Sequence, residues 1–180
     1  IYINAKYPKS QSLGEIPKRA DGQKIRIGYY SADFQNHATS YLMAQLFEVY
    51  DAEKFELYGF SFGPDIQDEM RHRLSCAFDK FLDVRDKSDR EIALISRDLS
   101  IDIAVDLKGF TQDSRVGIFA ERCAPIQVNY LGYPGTMGAD YIDYVIADKT
   151  VISDDSEPCF SEKVVYLPSS YQVNDARRKI

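Results

Sequence analysis

A doubly wound, mainly parallel α/β sheet is the fold this sequence predicts, and three observations predict it. From residue 24 onward, strand-like and helix-like stretches alternate along the chain. The helical stretches have the length that crossovers between parallel strands use. The 180 residues, 44% of them hydrophobic, suffice for one ordinary domain with a proper core.

Residues 1–23 are polar and broken by Pro8, Gly14, Pro17 and Gly22, and read as a linker or lead-in. The chain opens without Met, so a piece of a longer protein is expected. A first strand begins in Lys24-Ile25-Arg26-Ile27-Gly28-Tyr29-Tyr30. Between Ser40 and Tyr50, the residues Leu42, Met43, Leu46, Phe47 and Tyr50 fall on one helical face. Phe55 to Phe62 is an apolar, aromatic strand closed by Gly63-Pro64, and Ile66 to Phe78 returns to helical spacing. Lys80 to Val84 reads as a short third strand. Ser88 with Glu91 has capping-box spacing, and Ile92, Leu94, Ile95 and Leu99 supply the apolar positions of the helix that follows. A strand over 101–107 stops at Gly109, a helix spans about Ser114 to Arg122, and strands follow at Ile126–Tyr130, Tyr144–Ala147 and Lys163–Leu167. There is no internal repeat and no low-complexity tract.

Composition excludes several classes. With 13 Tyr and 10 Phe the chain carries too much apolar surface for disorder. Its net charge of −6 disfavours a phosphate backbone, so no nucleic-acid partner is expected. The basic run Arg177-Arg178-Lys179 reads as a solvated end. No apolar run reaches the roughly 20 residues that span a bilayer, so no membrane partner is expected. Cys76, Cys123 and Cys159 are odd in number and far apart, which suits a reducing compartment such as the cytoplasm. Clusters with metal-ligand spacing are absent, and the reading includes no metal.

In an open α/β sheet, ligands bind beyond the carboxyl ends of the strands. Three loops there are polar or glycine-rich. The first is 31–40, holding Asn36 and His37 ahead of a helix start, where a neutral imidazole is favoured. The second is Lys108-Gly109-Phe110-Thr111-Gln112-Asp113. The third is Leu131-Gly132-Tyr133-Pro134-Gly135-Thr136-Met137-Gly138, whose glycines allow close backbone approach while Pro134 fixes the turn. No G-x-G-x-x-G is present, so a conventional dinucleotide site is not expected. Parallel, adjacent strands would open all three loops on one edge. Each also has a plainer reading: His37 as a hydrogen-bonded loop residue, Thr111 and Thr136 as turn or cap residues. His72 reads as a surface residue. Asp102 and Asp106 resemble an acid pair, for which structural pairing is the simpler account.

The same loops carry a family resemblance. Ile27 to Ser40 resembles the opening of the catalytic region of O-GlcNAc transferases, and Asp102 to Thr111 is similar to that family's strand ending in Gly-Tyr/Phe-Thr. Ala124 to Gly138 is the strongest match, with Asp143 to Asp148 and Ser161-Glu162-Lys163 in order behind it. The resemblance covers about residues 24–170. It implies the Rossmann-like, N-terminal lobe of a two-lobed GT-B enzyme, with residues 1–23 joining it to a preceding tetratricopeptide region. Such an enzyme moves a sugar from a nucleotide donor, UDP-GlcNAc, to Ser or Thr hydroxyls of a protein acceptor, with inversion and without a metal or other cofactor. Most of the nucleotide site belongs to a second lobe after residue 180, so the isolated chain is expected to be inactive.

By resemblance, His37 is the acceptor-side histidine, general base or orienting group. Asn36, Gly109, Thr111, Leu131, Gly132, Tyr133, Pro134, Gly135 and Thr136 line the cleft and bind substrate. Animal members have a second histidine where this chain has Tyr41. The related SPINDLY-type proteins, which transfer fucose, have Asn where this chain has Gly135, so the pattern leans to the GlcNAc branch. The alternatives are a SPINDLY-type lobe and a non-catalytic protein-binding module of the same fold.

Overall fold

The structure, a computed structural model, describes residues 2–10, 13–16 and 22–177. Ile1, residues 11–12 and 17–21 of the lead-in, and Arg178 and Lys179 of the basic end lie outside the described residues. Seven strands make one sheet: β1 Ile25–Ser31, β2 Phe55–Ser61, β3 Lys80–Asp83, β4 Ile103–Asp106, β5 Ile126–Tyr130, β6 Tyr144–Ala147 and β7 Lys163–Tyr166. Their spatial order is β3-β2-β1-β4-β5-β6-β7. Every pairing is parallel, so the sheet is wholly rather than mainly so. The chain winds from β1 outward to β3, then returns to the far side of β1 with β4. That reversal puts a topological switch point between β1 and β4, where open sheets of this kind leave a crevice.

The helices are α1 Tyr2–Lys6, α2 Ala38–Glu48, α3 Glu69–Ala77, α4 Asp89–Asp98 and α5 Gly117–Ala120. On one face, α1, α4 and α5 pack around Tyr30, Phe60, Ile101 and Phe119. On the other, α2, α3 and the returning segment at Tyr171 and Val173 pack around Tyr29, Phe47, Leu57, Leu74 and Val128. Adjacent strand residues therefore serve opposite cores, which is why β1 carries Tyr29 and Tyr30 in succession. Tyr30 stacks on Phe60 at 4.4 Å. Gly28 leaves the space, since a Cβ there would lie 3.0 Å from the Tyr30 ring.

Local signals set most helix starts. Asp68 caps α3 through Arg71 N, and the Ser88–Glu91 capping box of α4 is formed in both directions. The buried positions of α4 are Ile92, Ala93 and Ser96, while Leu94, read as apolar helix face, is exposed. The helix expected over 114–122 shrinks to four residues. Gly117 opens it against the Asp89 carboxylate, and Arg122 leaves it at φ 57°. The lead-in is folded against the lobe where it is described. Ile3 is buried, Ser10 N donates to Ala120 O at 2.9 Å, and Arg97 donates to the carbonyls of Leu13 and Gly14.

Candidate functional site at the carboxyl edge of the sheet

Because β1, β4 and β5 are parallel neighbours, their following loops share one edge at the switch point. The first loop is drawn tight by its own polar groups. Asp33 N donates to Ser31 Oγ at 2.9 Å, and Ser40 Oγ, in the first turn of α2, donates back to Asp33 O at 2.6 Å. His37 is the N-cap of α2, with extended backbone, and its Nδ1 accepts from Thr39 N at 3.3 Å. Its side chain remains 44% exposed, so the ring is anchored on one side and open on the other. Asn36 is exposed, and its backbone N–H is held by Asp68 Oδ2 at 2.7 Å, tying this loop to α3.

The second loop is joined to the first by a buried ion pair. Lys108 Nζ lies 2.6 Å from Asp33 Oδ2, with Lys108 5% and Asp33 8% exposed. The same carboxylate oxygen lies 3.5 Å from His37 Nδ1. Asp106 closes β4 and is buried; its carboxylate accepts Lys108 N at 2.8 Å. Burial pushes the Asp106 carboxyl up to about 6, against the opposing pull of the Lys108 and Gly109 backbone donors and the Lys108 charge. Thr111 Oγ1 donates to Lys108 O at 2.8 Å, so this hydroxyl shapes the turn. Gly109 takes φ 54°, and a Cβ there would meet Tyr133 Cβ at 2.4 Å.

The third loop touches the second backbone to backbone. A Cβ on Gly132 would lie 2.0 Å from Leu107 O, so only glycine allows this approach. Leu131 enters the loop at φ 68°. From within β5, Asn129 Nδ2 donates to Tyr133 O at 2.8 Å and Gly135 O at 3.3 Å. Tyr133 meets Phe110 edge-on at 5.4 Å, Gly135 lies over the Tyr133 ring, and Pro134 is exposed. Thr136 faces Glu162, with Oγ1 2.7 Å from Oε2, while Met137 N donates to Oε1 at 2.6 Å. Glu162 is 5% exposed and fixes the loop from β7's side of the sheet.

All ten residues named from the sequence thus sit on one edge, in three loops linked by Asp33–Lys108 and by Gly132 against Leu107. Asp33, Lys108, Asn129 and Glu162 are the residues that sequence reasoning did not single out for the site. The four-residue spacing of Asp33 and His37, and Lys108 next to Gly109, were the available signals. Asp102 and Asp106 do not form an acid pair. Asp102 accepts Arg26 N at 2.8 Å at the other end of β4. His72 is exposed on α3.

A wholly parallel lobe with three joined loops at its switch point, one of them presenting a half-exposed histidine, is an open, doubly wound domain of the α/β class. Residues 7–180 match the model of glycosyl transferase family 41, and the chain belongs to that family. It is similar to the probable UDP-N-acetylglucosamine–peptide N-acetylglucosaminyltransferase SEC of Arabidopsis thaliana, with 40% identity over 96% of this chain and 18% of the relative. The UDP-N-acetylglucosamine–peptide N-acetylglucosaminyltransferase of Caenorhabditis elegans is 34% identical over 92% of this chain and 15% of its own length. The solved O-GlcNAc transferase of Thermobaculum terrenum, in a mutant form, superposes with a TM-score of 0.82. It is 30% identical, over 88% of this chain and 31% of that one. The chain spans less than a fifth of the length of these curated relatives.

Proposed function

We propose that this chain is the acceptor-side lobe of a protein O-GlcNAc transferase, inverting and metal-independent, that needs a second lobe to hold the nucleotide. The observation that carries this reading is the joined edge of three loops with His37 half-exposed beside it. Nothing in these loops has the spacing of a phosphate cradle, which supports a nucleotide held by other residues. The relatives' names support the donor and acceptor classes, UDP-GlcNAc and a peptide. The GlcNAc reading over fucose rests on Gly135, the position at which the sequence pattern leans to the GlcNAc branch. The lead-in connects to a tetratricopeptide region, and the three free cysteines suit the cytoplasm.

In this reading a Ser or Thr oxygen attacks the anomeric carbon, the carbon–oxygen bond to the diphosphate breaks, and UDP leaves while the hydroxyl proton passes to solvent or to the departing diphosphate. The lobe contributes orientation. Loops held by Asn129, Glu162 and the Asp33–Lys108 pair fix the acceptor against the donor, and His37 faces the attacking hydroxyl. The test is a sugar-nucleotide panel on the longer natural protein, with mass spectrometry of the acceptor. Transfer of N-acetylhexosamine from UDP-GlcNAc is expected; transfer from GDP-fucose instead would move the chain to the SPINDLY branch. In the same assay His37→Ala lowers kcat by about 100-fold or more, the scale of losing a group that orients the attacking hydroxyl, and changes the donor KM far less. An unchanged kcat would remove His37 from the reaction.

A further inference from the structure

We propose that Lys108 is a positioning residue that fixes the proton of His37 on Nε2, so that the neutral ring meets the cleft as a hydrogen-bond donor. The proposal rests on the reading above for the place of His37 in the reaction, but not for the position of its proton.

A neutral imidazole has one N–H and one lone pair, and a neighbour that needs one of them decides which nitrogen holds which. Two neighbours make opposite demands on Nδ1. The Thr39 N–H, a donor at the start of α2, needs a lone pair there and lies at 3.3 Å. The Asp33 carboxylate, an acceptor, would take an Nδ1–H and lies at 3.5 Å. If the carboxylate prevailed, the lone pair would move to Nε2, the arrangement in which a carboxylate readies a histidine to accept a proton.

Lys108 decides between them. Its ammonium sits 2.6 Å from the same Asp33 oxygen that faces His37. Both partners are buried, so the ammonium balances the carboxylate charge and supplies it with a donor where water reaches it poorly. The carboxylate then has little need of Nδ1–H, and the Thr39 cap keeps the lone pair. Lys108 is itself fixed. Its N–H is held by Asp106, and its carbonyl receives both the Thr111 hydroxyl at 2.8 Å and Thr111 N at 3.2 Å. Nε2 makes no hydrogen bond among the described residues, so its N–H is left for the substrate side.

The sequence has only two histidines, and the exposed His72 serves as an internal reference. The experiment is a long-range ¹H–¹⁵N correlation spectrum of the imidazole rings of this chain, recorded well above the ordinary histidine pKa of about 6.5. The wild-type chain should show Nε2–H at His37. Lys108→Gln, whose neutral and shorter side chain no longer balances the Asp33 charge, should invert the major tautomer to Nδ1–H with His72 unchanged. Lys108→Arg, which keeps the charge, should retain Nε2–H, and so should the doubly neutral Asp33→Asn/Lys108→Gln variant. Nδ1–H in the wild type, or an unchanged His37 signal in Lys108→Gln, overturns the proposal. If Lys108→Gln does not fold, the Arg and double variants carry the test, and Nδ1–H in either overturns it. The spectrum needs neither donor nor acceptor. Its failure would remove the proton assignment alone, whereas failure of the sugar panel would remove the function and leave the proton where it is.

Discussion

At the scale of single residues, the carboxyl edge joins groups that would be unfavourable alone. Asp106 is the clearest case, buried at the end of β4 with its carboxyl pushed up to about 6. An unfolded Asp releases its proton near pH 3.9, so between about 3.9 and 6 the folded chain binds the extra proton. Stability from this group is full below the lower value and is lost as pH rises to the upper one. The loss amounts to about 3 kcal/mol across that window. Asp106→Asn removes the titration and keeps an acceptor for the Lys108 and Gly109 donors. Urea unfolding at about pH 4 and about pH 7.5 should show the variant gaining on the wild type by about 3 kcal/mol at the higher value. Equal differences at both values would show that Asp106 does not titrate there. Neither this burial nor the Asp33–Lys108 pair was legible in the sequence. The pair's members stand 75 positions apart, and only the parallel neighbourhood of β1 and β4 brings them together.

At the scale of elements, the sequence was most informative where local chemistry decides. The Ser88–Glu91 box caps its helix without help from distant residues. Where tertiary contact decides, the reading drifted. The short α5 depends on Gly117 meeting Asp89, a contact between two elements that periodicity does not contain. Leu94, counted among the apolar positions of α4, is exposed, and Ala93 and Ser96 join Ile92 as the buried ones. The glycines of the third loop make a direct test of which contacts matter. Gly132→Ala drives a methyl into Leu107 O and should cost about 3 kcal/mol, at the upper end for overpacking. Gly138→Ala meets no atom within 4 Å and pays only for its φ of 61°, about 1 kcal/mol. Denaturant midpoints of the two variants would check this, and a Gly132 cost no larger than that of Gly138 would mean the loop retreats freely from β4.

At the scale of the whole molecule, the alternation of strand and helix was enough to give the sheet and its common edge, because parallel strands leave few other topologies. The packing of the described lead-in on the lobe was not legible, since α1 is a single short turn in a polar, proline-broken stretch. The far end of the chain holds a second attachment of this kind. Glu48, in the last turn of α2, pairs with Arg73 of α3 at 2.7 Å, and Arg73 reaches the buried Asp175 at 2.5 Å. Gln45 of α2 accepts the backbone N–H of Ala176 at 2.8 Å. The first turn of the same helix is held by Ser40 on Asp33 O. A helix fastened at both ends cannot fray, so the amide hydrogens of α2 should exchange with deuterium only when the whole lobe opens. Asp175→Ala should release the last turn first, with faster exchange at Phe47 and Glu48 and slow exchange retained at Met43. Uniformly faster exchange along α2 would mean instead that the clasp and the histidine end of the helix form one cooperative unit, and that a pull on residue 175 is felt about 16 Å away at the site.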